Sequence, residues 1–391
     1  MVRKSASMLL TVLLIAAGGS TVAWAQAVQR SGNIFHRAVC PGPDRPGTAR
    51  CHAHIVTDSK GNDQERGAAP NLTPSGYGAA TLRAVYNIVP SNSSMVIAIV
   101  DAYGYNNAES DLGVYRSNMG LPACTTANHC FAKYNQNGQA GNYPAQNTGW
   151  GQETALDLDM ASAMCPSCRI ILVEANSASY ANLATAENTA ALMGAHVISN
   201  SYGGGESGTS GYEQAYNHAG IAITVSSGDS GYGVQFPASS PHVTAVGGTS
   251  LHYSNGVRTE TAWVDGGSGC STVYAKPGWQ HDTGCTMRME ADVSAVADPA
   301  TGVAVYGPSS RRGSAWQVYG GTSVAAPLIA GIYGNNGGSV NYGNNPYVAL
   351  GALNDITAGS NGKCSVAYFC NAGPGYDGPT GLGTPNGNQA F

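Results

Sequence analysis

The chain has 391 residues and a formal net charge of −5, with Lys+Arg 18 against Asp+Glu 23, so no broad basic surface is available to track phosphates and nucleic acid is not an expected partner. Charged residues make up only 10% and glycine fills 53 positions, a balance that favours a tight, loop-rich, exported fold over a cytosolic one. With 42% hydrophobic residues the chain can bury a large core, which excludes disorder over most of its length.

Arg3 and Lys4 precede an apolar run from Met8 to Ala17, and Ala23-Trp24-Ala25 supplies small residues for a cleavage site. Residues 1–25 are therefore expected to be a signal peptide and the mature protein to be secreted. The apolar run is shorter than the roughly 18 residues a membrane anchor needs, so no membrane association is expected in the mature form. Residues 26–75 are rich in proline, glycine and charge without sustained periodicity, and read as a leader arm or short propeptide-like segment. The cysteines number ten, which fits an oxidising compartment. The simplest connectivity joins neighbours: Cys40 with Cys51, Cys124 with Cys130, Cys165 with Cys168, Cys270 with Cys285 and Cys364 with Cys370. Cys165-Pro-Ser-Cys168 follows a helical stretch instead of opening one, so it reads as a structural bridge and not a redox pair.

From Tyr77 the pattern becomes regular. Strand-length apolar runs at Met95–Val100, Ile170–Val173, His196–Ser199, Ile221–Val225 and Val243–Val246 alternate with helical stretches at Asn107–Asn118, Gln152–Met164, Tyr180–Met193 and Gly211–His218. This alternation predicts an α/β fold with a mostly parallel central sheet flanked by helices, and such sheets carry their sites at the C-terminal ends of strands. Asp101 follows one of these strands directly.

Three strings carry chemistry. Glu153 and Asp157 lie four apart and share one helix face with Met160 and Met164, where two like charges repel and partial burial adds desolvation; the plain alternative is an exposed acidic face. Ser226-Ser227-Gly228-Asp229-Ser230-Gly231 is the turn beyond the Ile221–Val225 strand. Gly320-Gly321-Thr322-Ser323-Val324-Ala325-Ala326-Pro327 leads into an apolar helix, so the Ser323 hydroxyl sits at a helix start beside backbone N–H groups that can stabilise an oxyanion. Ser and Thr also cap helices without any catalytic role. Near the C-terminus, Asp355 and Asp377 stand in loops with glycine-exposed carbonyls between them, a set of oxygen ligands suited to Ca²⁺, although isolated Asp residues in such loops are commonly turn formers.

Taken together, these strings resemble the sedolisin, or serine-carboxyl peptidase, family, with its subtilisin-like fold. The resemblance covers about Tyr77–Phe391 and makes residues 76–391 the expected catalytic domain. It implies Ser323 as nucleophile, Glu153 as the base where subtilisins use His, Asp157 as its partner, and a protonated Asp229 as oxyanion donor, hence work in acid. It further implies one structural calcium ion held by Asp355, Asp377 and the carbonyls of Ile356, Gly373 and Gly375. Ser201, Tyr202 and Gly203 resemble the edge strand that pairs with extended peptide substrates. No His stands in the string that subtilisins use, so Asp101, where a subtilisin-like aspartate is expected, reads as structural. Gly228-Asp229-Ser230-Gly231 and Ala127-Asn128-His129-Cys130 also resemble chymotrypsin-like segments, but Tyr232 and the strand–helix alternation contradict that architecture. The expected function is a secreted, monomeric endopeptidase acting on proteins or peptides in acid through an acyl-enzyme; a catalytically silent peptide-binding protein of the same fold is the competing reading. The family commonly carries a long folded prosegment, and only about fifty residues separate Ala25 from the pattern here.

Overall fold

A computed structural model describes residues 27–42, 45–65, 75–309 and 313–391; the expected signal peptide lies outside them. The arm, expected to lack regular structure, instead forms four short strands: β1 (Gln29–Ser31), β2 (Ile34–Ala38), β3 (Arg50–Cys51) and β4 (His54–Thr57). Some of their hydrogen-bond partners lie far along the chain, so no local period announces them. After α1 (Ala79–Val85) come β5 (Val96–Ala102), α2 (Ala108–Asn118), β6 (Phe131–Asn135), α3 (Thr148–Met164), β7 (Arg169–Ala175), α4 (Tyr180–Leu192), β8 (Val197–Asn200) and the two-residue β9 (Tyr202–Gly203). The second half adds β10 (Ala222–Ser226), β11 (Thr244–Ser254), β12 (Val257–Ala262), β13 (Gly269–Ala275), β14 (Met287–Glu290), β15 (Val293–Val296), β16 (Val303–Ser309) and β17 (Gly313–Gly320). The last of these leads into α5 (Thr322–Asn336).

The central sheet runs β12-β11-β10-β8-β5-β7-β6, with β15 beside β11. All its neighbours are parallel except β11 and β12. Strands β5, β8 and β10 are buried at every residue. Because successive side chains point to opposite faces, both faces of the sheet are covered, as the near-continuous apolar runs predict. One expected helix is missing: Gly211–His218 holds only a 3₁₀ turn at Glu213–Tyr216. The five disulfides join sequence neighbours, and Cys165–Cys168 closes the turn just beyond α3. Among the described residues no helix is long and apolar enough to cross a membrane.

A second sheet, β1-β2-β4-β17-β16, is antiparallel throughout. It ties the arm to the strand that feeds α5. Separately, β3 pairs antiparallel with β9. The arm thus crosses the region where β8, β10 and α5 meet.

Candidate functional site

Helix α3 delivers the acidic pair. Its first turn is fixed by Asn147, whose side chain accepts from the Trp150 N–H at 3.1 Å. Every residue from Trp150 to Met164 is buried, so the helix has no exposed acidic face and its periodicity is not amphipathic. Glu153 and Asp157 are fully buried. Glu153 Oε2 accepts the backbone N–H of Ala53 at 2.9 Å, while Oε1 is buried without a hydrogen-bond partner. Asp157 Oδ1 accepts from Ser201 Oγ at 2.8 Å, and Oδ2 is likewise unpartnered.

Burial pushes both carboxyls well above the usual carboxylate range, and the charge of Asp101 adds to the shift in each. For Glu153 the Ser323 hydroxyl and the Ala53 N–H act in the opposite direction, favouring the anion. Asp101, expected to be structural, is a fully buried acid, pushed up to about 7 chiefly by burial, with the Thr154 hydroxyl acting in the opposite direction. Its charge reaches Glu153 and Asp157, so it belongs electrostatically to the same cluster. Its position at the end of β5 was the available signal; the missing histidine obscured it.

Helix α5 begins at Gly321, whose φ of 99° is open to glycine and strained for other residues. Ser323 follows in the first turn and is fully buried. Its hydroxyl donates to the Ser201 carbonyl at 3.3 Å. Pro327 has no N–H to give the Ser323 carbonyl four residues back, and Ser201 Oγ lies 3.4 Å from that carbonyl oxygen. Small residues and a proline after the serine are therefore matched to a close approach by the 201 strand end.

Asp229 enters from the turn after β10. Its Oδ1 accepts both the backbone N–H and the hydroxyl of Thr322, each at 2.8 Å. Burial raises its carboxyl to about 8, the two Thr322 hydrogen bonds holding the rise in check. Its Oδ2 lies 3.5 Å from His54 Nε2. That imidazole is pushed down to about 3, first by burial and then by neighbouring positive groups, and so is neutral over most of the pH range.

Ser201, Tyr202 and Gly203, the expected substrate edge, lie beside the site, but the chain's own arm is paired to them: Arg50 stands opposite Gly203 and Cys51 opposite Tyr202. Sequence reasoning found neither this pairing nor the contacts of Ala53 and His54, because no local motif marks them. At the C-terminal loop, Asp377 Oδ1 accepts from the Thr380 N–H and hydroxyl and Oδ2 from the Gly373 N–H, while Asp355 Oδ2 accepts from the Gly375 N–H. Burial raises Asp377 to about 7, with the charge of Asp355 adding to the rise. Ile356 is buried beside Asp355 in sequence. Among the described residues no group of three or more His, Cys, Asp or Glu side chains is arranged to hold a metal.

Comparison with known proteins agrees with this architecture. Residues 131–335 match the model of the subtilase family. Kumamolisin from Bacillus sp. (strain MN-32) is 29% identical, the match taking in 88% of this chain and 68% of that protein. Sedolisin from Pseudomonas sp. (strain 101) is 28% identical over 82% of this chain and 62% of its own length. Of solved structures, Pseudomonas sedolisin, described as a serine-carboxyl proteinase complexed with two molecules of pseudo-iodotyrostatin, superposes with a TM-score of 0.70 and 26% identity, covering 81% of this chain and 96% of that one. The chain thus spans about two thirds of the length of these two curated relatives.

Proposed function

The chain belongs to the subtilase family, in its sedolisin branch, and from that premise we propose that it is a secreted serine-carboxyl endopeptidase that cuts proteins in acid. The observation that carries this reading is the convergence of three fully buried residues, Ser323 at the start of α5 and Glu153 and Asp157 on α3, with Asp229, whose side chain is 6% exposed and tied to Thr322. In the proposed reaction the Ser323 hydroxyl adds to a peptide carbonyl carbon as its proton passes to Glu153. A protonated Asp229 and the Ser323 N–H hold the oxyanion. Glu153 then protonates the leaving amine, and water, giving its proton to the same carboxylate, hydrolyses the acyl-enzyme. Asp157 shares the protonation equilibrium of Glu153, and Asp101 biases both. Burial serves this chemistry by keeping at least one of these acids neutral where a free carboxylic acid would be ionised.

In the same reading, residues 1–25 direct export, 26–75 form the arm and 76–391 the catalytic domain, acting as a monomer on proteins or peptides. Ser201, Tyr202 and Gly203 bind the substrate backbone. In this reading one calcium ion would be held in the C-terminal loop by Asp355, Asp377 and the carbonyls of Ile356, Gly373 and Gly375; the charge of Asp355, which helps to raise Asp377, supports a cation there. It would supply stability, not chemistry. The test is to incubate the purified protein with a denatured protein at graded pH and map fragments by mass spectrometry. Peptide-bond cleavage strongest in acid supports the reading; no cleavage at any pH would leave the silent peptide-binding alternative.

A further inference from the structure

Behind the Ser201–Gly203 edge lies a buried acid that the proposed reaction does not use. Glu187 on α4 is fully buried, and among the described residues neither of its carboxyl oxygens has a hydrogen-bond partner. Burial holds it well above the usual carboxylate range, with the Asn200 amide acting in the opposite direction, so in acid it is neutral. Asn200, at the end of β8, is itself fully buried, and its Nδ2 is likewise without a partner. Its Oδ1 accepts from the Tyr202 hydroxyl at 2.7 Å, and that hydroxyl lies 3.3 Å from the Tyr216 hydroxyl. Burial raises both phenols, and the charge of Glu187 adds to the rise in each, so carboxyl, amide and phenols form one enclosed set. Tyr216 belongs to the 3₁₀ turn Glu213–Tyr216, which packs against α4.

The residue between Asn200 and Tyr202 faces the other way, as successive residues of an extended segment do. Ser201 Oγ donates to Asp157 Oδ1 at 2.8 Å, and the Ser201 carbonyl accepts from Ser323 Oγ at 3.3 Å. The Tyr202–Asn200 hydrogen bond thus closes across the back of a residue whose front touches the nucleophile and the acid pair. Tyr202 and Gly203 in turn take an extended strand, being paired with Cys51 and Arg50. A buried carboxyl without a partner costs stability that an aliphatic side chain of similar size would not, so packing alone gives no reason for an acid at position 187. We propose that Glu187 is a positioning residue for substrate binding: its carbonyl oxygen takes the free Asn200 Nδ2, which reserves Asn200 Oδ1 for the Tyr202 hydroxyl and fixes the 200–203 segment in the register that extended peptides meet. The proposal rests on the serine-carboxyl reading and deepens it. Without an acceptor at 187 the amide is free to turn over, present Nδ2 to the phenol and loosen the edge. Peptides with several residues before the cleaved bond are the substrate class this arrangement favours, because a shorter one does not reach the Tyr202–Gly203 edge.

The test compares the wild type with Glu187→Leu, Glu187→Gln, Asn200→Leu and the Glu187→Leu/Asn200→Leu pair in acid, by thermal melting and by kcat and KM on two peptides, one long enough to reach the Tyr202–Gly203 edge and one cut after its first residue. Glu187→Leu should melt no lower than the wild type yet raise KM for the long peptide about tenfold, with kcat held within about threefold and the short-peptide KM within about twofold. Glu187→Gln keeps a carbonyl oxygen at the same place and should hold the long-peptide KM within about twofold of the wild type. The double variant should be no worse than Asn200→Leu, because the two side chains act as one unit. The proposal alone is overturned if Glu187→Leu leaves the long-peptide KM unchanged, or melts lower and loses kcat on both peptides alike. It is equally overturned if Glu187→Gln fails to restore binding or the two single losses add. A wild type that cleaves neither peptide nor a denatured protein overturns the serine-carboxyl reading beneath it.

Discussion

Asp229 Oδ1 accepts two hydrogen bonds from Thr322, one from its N–H and one from its hydroxyl. With that oxygen serving two donors, the proton of a neutral Asp229 belongs on Oδ2, which lies against Gly321 at the start of α5 and has no hydrogen-bond partner. A carboxyl used in this way donates only while protonated, and its titration therefore belongs to the reaction.

Replacing Ser323 by Ala is expected to reduce kcat/KM on a denatured protein by at least about a thousandfold, since groups that act as a unit lose most of their effect when one is removed. The melting temperature should stay within a few degrees, because the hydrogen bond the lost oxygen gives to the Ser201 carbonyl is long, at 3.3 Å. Turnover near the wild-type rate would remove Ser323 from the mechanism.

Glu153→Gln keeps the size of the side chain and cannot carry a proton from nucleophile to leaving group. A loss of about a hundredfold or more in kcat, with a smaller change in KM, is expected. Loss of the acidic limb, so that the deficit varies with pH, would match a role in proton transfer; a profile of unaltered shape would contradict it.

Stability should be greatest in acid and decline as pH rises. Asp101 and Asp229 have folded-state values raised to about 7 and about 8, and Asp159, Glu187 and Glu290 are raised well above the carboxylate range, all principally by burial. A raised folded value means the native state binds more protons than the unfolded chain. The stability it contributes is full below about pH 4 and is lost as pH climbs through the folded values. His36, His54 and His218, lowered mainly by burial, act oppositely as pH falls below about 6.5, but they are fewer. Melting temperatures measured from pH 4 to pH 8 should fall; a rise across that window would contradict the assignment of buried neutral acids.

Chelation should lower the melting temperature without removing a catalytic group. An ion present at about one hundred times its dissociation constant stabilises the native state by about 2.7 kcal/mol, a shift of several degrees. Asp377→Asn should abolish the calcium dependence. Unchanged melting in saturating chelator, with no calcium in metal analysis, would reduce the loop to a turn.

Much of this was legible along the chain because the determinants are local. The parallel strands appear as short apolar runs, and β5, β7, β8 and β10 begin within a residue of where those runs predict. Glu153, Asp157, Asp229 and Ser323 stand in compact strings whose neighbours, such as Gly321 and Pro327, have local backbone reasons to be there. The arm was not legible: β4 is a strand because it lies between β2 and β17, and β3 because β9 is opposite it. Helix α3 was expected to begin at Gln152 and to bury one face. It starts at Thr148, where Asn147 caps it, and it is buried all round because α5, β16, α2, α1 and β5 pack against it. Asp101 shows the same limit, since its coupling to α3 exists only in three dimensions.

The most direct test of the serine-carboxyl account is kcat/KM against pH for the wild type and Asp229→Asn on one peptide substrate. The wild type should be active in acid and lose activity as pH rises through the ionisation of Asp229. That limb should lie below the value of about 8 found with the cleft covered, because water admitted with the substrate reduces the desolvation that raises it. In Asp229→Asn the amide donates at any pH, so the alkaline limb should move upward or flatten, even if the maximal rate is lower. A wild-type optimum at pH 7–8 with almost no hydrolysis at pH 4, unchanged in shape by Asp229→Asn, would contradict the account and point to a histidine base.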